Sequence, residues 1–122
     1  MRITVILLAL ICCACQVQTV NQSPEKQKIA DEVYARILSG NHPDLKSGHF
    51  AIAACIAWQG STAAKISGIN AYYIDAGWAV YQNPMPDLRF AALGDCNAEK
   101  SAELPCTCEI VGENGNNLIK VP

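Results

Sequence analysis

The sequence predicts a small exported α+β domain, in which two helices cover an antiparallel sheet of about five strands and disulfides staple the layers together. Three observations lead to this prediction. Apolar residues recur with a helical period in two segments, they alternate with a strand period in several others, and four cysteines follow the first fifteen residues. The 122 residues suffice for one domain with its own core.

Residues 1–14 are predicted to be an export signal. Arg2 supplies a positive start, and residues 3–11 form a run that is apolar apart from Thr4. Because a transmembrane helix needs about 20 residues, this run is too short to span a bilayer. Its layout is that of a signal peptide that is removed, so we expect the mature protein outside the cytoplasm, where disulfides persist.

Two processing routes fit this leader. In the first, Ala14 and Cys15 resemble a bacterial lipoprotein box, with Cys12 where an aliphatic residue is usual, and Cys15 receives the lipid. In the second, ordinary signal-peptidase cleavage near Cys15 leaves a soluble secreted protein. We favour the first route. Gln16, in place of Asp after the modified cysteine, resembles the pattern of lipoproteins that are sent to the outer membrane. We therefore expect a periplasmic lipoprotein that is anchored there.

Residues 15–22 are interpreted as a polar tether and residues 23–122 as a single domain. The domain opens with a helix, because Ser23 is a favoured N-cap and Pro24 suits the first helical position. Gly40 is expected to end this helix. Six apolar residues recur on one of its faces and are expected to pack on the core: Ile29, Ala30, Val33, Tyr34, Ile37 and Leu38.

Residues 50–58 are predicted to form a strand that is buried on both faces. Strand alternation places large side chains, from Phe50 to Trp58, on one face and small ones, such as Ala53 and Cys55, on the other. We expect a helix to lie close to the small face. An alanine-rich helix is the alternative for this segment, because short apolar runs are ambiguous.

Two further strands are predicted at residues 69–74 and 78–82, joined by a tight turn at 75–77. Residues 59–68 are then a loop. A second helix follows the proline-containing break at 83–86, and three of its residues share one face at four-residue spacing: Leu88, Ala92 and Cys96.

A β-hairpin is predicted at the end of the chain. Residues 106–111 are interpreted as its first strand, and Asn114-Gly115 is the strongest short hairpin signal, because a type I′ turn requires positive φ at both central residues. One register pairs apolar with apolar and acid with base: Val111 with Leu118, Ile110 with Ile119, Glu109 with Lys120 and Cys108 with Val121.

The four downstream cysteines are predicted to form two disulfides, which leave no free thiol. A zinc site is the alternative, but the spacing of Cys106 and Cys108 is too short for common zinc knuckles. We expect Cys96 to bridge Cys106, and Cys55 to bridge Cys108. The exchange of Cys106 and Cys108 between these partners is the main rival pairing.

The second half of the chain carries a family resemblance. The motifs that carry it are residues 89–96, which read RFAALGDC, residues 105–111, which read PCTCEIV, and the Asn-Gly turn that follows. In this order, residues 71–115 resemble small exported cysteine-containing proteobacterial domains of unassigned function. The resemblance implies a strand pair, a helix with Ala-Leu-x-x-Cys and a cysteine-containing hairpin. It carries over no catalytic or binding residue.

No catalytic constellation is evident, so we predict no enzymatic activity, no cofactor and no metal site. The chain has no glycine-rich phosphate loop and no hydrolase or metalloprotease motif. His49 suggests a Cys–His pair, but a cysteine in a disulfide cannot attack. Thr62 and Lys65 have the Ser-x-x-Lys spacing with threonine in place of serine, in a predicted loop. The net charge of −2 argues against a nucleic-acid partner.

A cluster of aromatic residues suggests a contact surface. Tyr72, Trp78 and Tyr81 lie within ten positions on the two predicted strands, with Tyr73 beside them. Strand alternation sends some of these rings to the core, and packing beneath the helices is the alternative for all of them. Aromatic rings that stay exposed mark protein or carbohydrate contacts.

The predicted function is that of a non-enzymatic exported envelope lipoprotein that binds a protein partner, as an inhibitor or an immunity protein against a periplasmic toxin does. The alternative is a structural accessory lipoprotein of an envelope or secretion complex. An envelope hydrolase is the weakest hypothesis, since the sequence offers no nucleophile with a base beside it.

Overall fold

The structure is a computed structural model that describes residues 21–39, 49–60, 63–74 and 85–122. Its elements follow the chain in the order α1 (Pro24–Leu38), β1 (His49–Gln59), β2 (Ala63–Ile74), α2 (Met85–Glu99), β3 (Cys108–Glu113) and β4 (Asn116–Asn117). Several sequence-based predictions lie outside the described residues, among them the leader with Cys15, most of the tether at 15–22, the helix stop at Gly40, the turn at 75–77 and the strand at 78–82.

The strands form one antiparallel sheet in the order β2-β1-β3-β4. Helix α1 packs on one face of this sheet, and α2 packs on the other. The predicted α+β class, with an antiparallel sheet, two covering helices and two disulfides, is confirmed. Within the described ranges, neither helix combines the length and the apolar character that crossing a bilayer requires.

Strand β1 is shared by both layers. Its main chain pairs with β2 on one side and with β3 on the other, so the alternative of an alanine-rich helix is wrong. Phe50 and Ile52 pack in the cluster beneath α1. Ala53 and Cys55 pack in the cluster beneath α2. The face with small side chains therefore receives a helix, as predicted.

Helix α1 begins and packs as its sequence predicts. The Ser23 hydroxyl accepts a hydrogen bond of 3.4 Å from the Lys26 N–H, and Pro24 occupies the first turn. Leu38 is predicted on the buried face but is 41% exposed, and it is the last residue of the helix. The fully buried residues of the helix are Ala30, Val33 and Ile37.

Strand β2 begins earlier than the sequence predicts. Residues 63–68, predicted as loop, pair with the second half of β1, where Lys65 faces Ala57 across the ladder. The loop prediction is wrong because Gly68 does not interrupt the strand. It adopts a φ of +65° within it, at a bulge where the register with β1 shifts.

Gly68 also sets how closely α2 approaches β2. A Cβ atom at this position would lie 2.6 Å from the Cys96 carbonyl oxygen and 3.1 Å from the Lys100 Cβ atom. Close to this contact, the Asn70 amide donates a hydrogen bond of 3.1 Å to the Glu99 carboxylate. Glycine alone provides both the positive φ and the empty space that this approach needs.

The predicted Asn-Gly turn is confirmed. Asn114 and Gly115 have φ angles of 49° and 86°, and β4 pairs with β3 in the predicted register. The Asn114 side chain also holds the turn against β1, because its oxygen accepts a hydrogen bond of 2.9 Å from the Phe50 N–H. The last bond of the hairpin runs from the Leu118 N–H to the Val111 C=O, at 2.9 Å.

The C-terminal segment, residues 118–122, leaves this hairpin after Leu118. Ile119 and Val121 are buried beneath α1, whereas Ile110 packs beneath α2. Val111 has no partner on β1 and forms a bulge, which interrupts the alternation of side chains along β3. Three predicted outer pairs of the hairpin are therefore wrong: Ile110 with Ile119, Glu109 with Lys120 and Cys108 with Val121.

Gln22 holds the C-terminal segment against the start of α1. Its side-chain amide donates a hydrogen bond of 2.9 Å to the Ile119 C=O and accepts one of 3.1 Å from the Val121 N–H. Gln22 is the last residue of the predicted tether, and these bonds make it part of the folded domain.

Two disulfides link Cys55 to Cys106 and Cys96 to Cys108, with Cα–Cα distances of 5.5 Å and 6.0 Å. The presence of two disulfides is confirmed, but the preferred pairing is wrong and its rival is observed. The reason is that β3 begins at Cys108, not at residue 106. The strand thus brings Cys108 to the buried face of α2, and Cys106, which precedes the strand, reaches β1.

Gly68→Ala tests the close approach of α2 to β2. Gly60→Ala is the matched control, because Gly60 also has a positive φ of 71° but nothing lies within 4 Å of its would-be Cβ. Both substitutions incur the strain of a left-handed alanine, about 1–2 kcal/mol, and Gly68→Ala adds overpacking of about 1–3 kcal/mol. Urea unfolding should show this extra loss. Equal losses in the two variants would contradict the contact.

Paired serine substitutions test the disulfide assignment. Cys55→Ser with Cys106→Ser removes one bond with a separation of 51 residues, at a cost of about 4 kcal/mol, and leaves no free thiol among the cysteines that follow the leader. Cys55→Ser with Cys108→Ser breaks both bonds, so this variant should be less stable by a further ~3 kcal/mol. Denaturant unfolding and thiol titration measure both effects. Greater stability of the second variant would instead support the pairing of Cys96 with Cys106 and of Cys55 with Cys108.

Candidate functional site

An open groove of about 540 Å³ lies between β1, β3 and the C-terminal segment. Ile56 and Trp58 line it from β1. Thr107 lines it from the approach to β3, and Glu109 lines it from the start of that strand. Residues 118–122 complete it. This volume falls within the range of about 300–1,000 Å³ that is usual for ligand pockets. The groove is therefore large enough to receive several side chains of another molecule.

The pairing of β1 shows which way the main chain of β3 points. The Asn114 N–H donates a hydrogen bond of 3.1 Å to the Phe50 C=O, so the main-chain groups of Phe50 point toward β3. These groups alternate in direction along a strand, and those of Ala54 therefore point toward β3 as well.

It follows that part of the outer edge of β3 is unpaired. Ala54 is the ladder partner of Glu109, so the main-chain groups of Glu109 face β1. Those of its neighbours, Cys108 and Ile110, face outward. Strand β4 pairs only with the far end of β3, and no hydrogen bond among the described residues reaches these outward groups. The groove thus adjoins an edge that can accept another strand.

The groove combines apolar surface with two opposite charges. Trp58 is half-buried and contributes a large ring surface. Glu109 and Lys120 are both exposed and carry one negative and one positive charge on the groove. An apolar centre with charged groups at its border is typical of surfaces that contact proteins.

The base of the groove is held in place by covalent and polar bonds. Cys106 lines the groove, and its disulfide ties the approach to β3 onto β1. The Lys100 ammonium group donates a hydrogen bond of 3.0 Å to the Cys106 C=O. A surface that is fixed before binding loses less conformational entropy on binding.

The predicted aromatic contact surface is described only in part. Tyr72 is half-buried on the side of the sheet that α2 covers, and its hydroxyl donates a hydrogen bond to the Asp95 carboxylate on α2. Tyr73 is 39% exposed. Trp78 and Tyr81 lie outside the described residues, so this contact surface stays a prediction.

Two polar bonds join α2 to the sheet and shift the pKa of their donors. The hydrogen bond to Asp95 raises the pKa of Tyr72 above 10.0, and burial and the negative charges of Asp95 and Glu99 act in the same direction. On the first turns of α2, Arg89 forms a two-point ion pair with Glu113. The hydrogen bond that Arg89 donates to the Glu113 carboxylate raises the pKa of Arg89.

The residues considered for catalysis are not brought together. His49 lies beside Asn114, with 3.4 Å between its Nδ1 atom and the Asn114 Nδ2 atom. The four cysteines of the described residues are all in disulfides, so none of them is a thiolate nucleophile. Lys65 lies in β2, and Thr62 lies outside the described residues. Across the described ranges, no three His, Cys, Asp or Glu side chains form a metal-binding group.

Sequence reasoning misses the groove. It assigns Glu109 and Lys120 to a cross-strand pair and Trp58 to the face of a buried strand. The groove arises because the bulge at Val111 separates the C-terminal segment from β3. The available signal is Gly112, which follows the predicted strand at 106–111 and lies within the observed β3, because a glycine inside a strand often marks a bulge.

Comparison of the chain with protein-family models, with curated proteins and with solved structures finds no match in any of the three. The resemblance of residues 71–115 to small exported proteobacterial domains therefore stays a prediction. The activity of the molecule has to be inferred from the geometry of its own residues.

Tyr72→Phe should alter the pH dependence of stability. The raised pKa means that the neutral Tyr72 hydroxyl stabilises the folded state fully below pH 10.0, and that this contribution is lost as the pH rises through the folded-state pKa. The difference in unfolding free energy between wild type and variant should be constant at neutral pH and should shrink above pH 10. Urea unfolding at several pH values measures it.

Tyr73→Phe is the control for this prediction, because it removes a neighbouring tyrosine hydroxyl on a side chain that is 39% exposed. We expect the alkaline decline to be specific to Tyr72→Phe, because Tyr72 donates the bond to Asp95. The same decline in both variants would show that the bond to Asp95 is not its cause.

Proposed function

We propose that this protein is a non-enzymatic exported envelope lipoprotein that binds a protein partner at the groove. The observation that carries the proposal is the groove itself, where the Trp58 ring, two opposite charges and an unpaired strand edge lie together. Aromatic anchors, charged borders and free main-chain groups are what protein partners use to recognise one another.

The envelope location in this proposal is supported by the chemistry of the chain. Two disulfides in a domain of this size are usual in oxidising compartments and rare in the cytosol. The leader at residues 1–14 and the lipoprotein-like Cys15 supply a route to the envelope and an anchor there. The residues between Cys15 and Gln22 would then hold the domain close to the membrane surface.

The groove favours the role of an inhibitor or immunity protein. Its base is fixed by the Cys55–Cys106 disulfide, so binding would order little of this chain. A small rigid domain that binds one partner tightly is suited to neutralise a periplasmic toxin. Lys120 and Glu109 would set the orientation of that partner through their opposite charges.

A structural accessory lipoprotein is the second candidate. The observation that favours it is Phe90, which lies on α2 and is 82% exposed. Helix α2 covers the face of the sheet opposite to α1, and Phe90 is not among the residues that line the groove. A component of a larger assembly needs more than one contact surface, and Phe90 would serve as a second one.

Site-specific photo-crosslinking of the full chain in its native host tests the proposal. p-Benzoylphenylalanine replaces Thr107, which is exposed and lines the groove, or Lys28, which is exposed on α1 and serves as the matched control. We expect a discrete cross-linked protein from position 107 that is absent from position 28. It should weaken when Lys120→Glu reverses the charge on the groove.

The same experiment tests the anchor. In the wild-type background the cross-linked product should fractionate with the outer membrane, and with Cys15→Ser it should become soluble in the periplasm. A single product from position 107 favours the inhibitor role. Several products from position 107, together with products from a further variant that carries p-benzoylphenylalanine in place of Phe90, would favour the accessory role. The absence of any product specific to position 107 would refute binding at the groove.

A further inference from the structure

We infer, on the basis of the function proposed above, that the groove binds an extended peptide segment of the partner, which adds as a strand to the outer edge of β3 at Cys108 and Ile110. The inference rests on the direction of the main chain at this edge, on the position of the C-terminal segment, and on the charge of Glu109.

The first argument concerns hydrogen bonds. The outward N–H and C=O groups of Cys108 and Ile110 have the spacing of one side of an antiparallel ladder. Strand β4 occupies the same edge further along but has only two residues. A partner segment would continue the line of β4 and form main-chain bonds, which supply affinity without a particular sequence.

The second argument concerns the C-terminal segment, which would otherwise fill this position. Ile119 and Val121 are 2% and 4% exposed beneath α1, and Gln22 bonds to the main chain of both. To pair with β3, the segment would have to give up this burial and these bonds. It is therefore held away from the edge, where no described residue forms a strand pair with Cys108 or Ile110.

The third argument concerns side chains. Successive side chains of an added strand alternate between the two faces of the sheet, so alternate ones would point toward the groove. A large apolar side chain would pack against Trp58. A basic side chain would lie beside Glu109, which is exposed on the same side as the groove. The expected segment therefore combines an apolar anchor with a Lys or Arg at alternate positions.

The same charge disfavours a second copy of this chain as the occupant. If two β3 edges paired antiparallel across Cys108 and Ile110, the two Glu109 side chains would lie near each other across the junction. Like charges at such positions destabilise a strand pair. A basic partner segment removes this repulsion and replaces it with attraction.

Binding of synthetic peptides to the oxidised full chain tests the inference. The probe is a positional-scanning library of capped, fluorescein-labelled nonapeptides, measured by fluorescence anisotropy. The selected peptide is then resynthesised with a single N-methyl group at each successive amide. We expect a loss of tenfold or more at every second amide, where the N–H faces β3, and less than twofold at the others.

A charge reversal tests the orientation. Glu109→Lys leaves the main-chain bonds to β1 intact and should change the selected residue beside position 109 from basic to acidic. Glu103→Lys is the matched control, because Glu103 is exposed, carries the same charge and does not line the groove. It should leave the selection unchanged. Circular dichroism confirms that both variants fold.

Each other outcome overturns the inference. A library without binders, or N-methyl effects without a two-residue period, would show that the groove does not add a strand. If the protein sedimented as a dimer, and Glu109→Lys changed that dimer, the edge would be assigned to a second copy. These failures differ from failure of the proposed function, because the cross-link from position 107 would persist if a partner bound the groove in a different conformation.

Discussion

Burial of β1 on both of its faces is the constraint on which the other elements depend. The strand has five consecutive residues, from Ala51 to Cys55, that are at most 1% exposed. Large side chains on one face need the cover of α1, and small side chains on the other admit α2 at short range. The two edges of the strand are occupied by β2 and β3. A strand in this position leaves the remaining elements few alternatives. Each of them must either form hydrogen bonds with the main chain of β1 or cover one face of β1.

The close approach of α2 explains several local features that are otherwise unrelated. Gly68 has no side chain where the carbonyl of Cys96 passes over β2. Cys96 itself is fully buried and bonds to Cys108 at the start of β3. Tyr72 then bonds to Asp95 beside this contact. The helix is thus tied to both neighbours of β1, which keeps the small-residue face covered in a domain with a modest core.

A bulge connects the fold to the groove. The extra residue at Val111 ends the hairpin after Leu118 and lets the C-terminal segment complete the core beneath α1. As a result, no strand in the described part of the chain pairs with the outer edge of the first half of β3. Natural sheets usually protect such edges, because they invite pairing with other chains. Here a charged residue, Glu109, lies next to the edge, which favours a basic partner and disfavours self-association.

By itself, the sequence determined the elements whose signals are local. The helix cap at Ser23, the two-faced pattern of β1, the buried face of α2 and the Asn114-Gly115 turn were all predictable, because propensity and period act over a few residues. Only the tertiary structure decided the disulfide pairing, the early start of β2 and the groove. Each of these depends on where separate segments meet in space. A one-residue bulge shifts such a meeting while it leaves unchanged the local signals from which the elements were predicted.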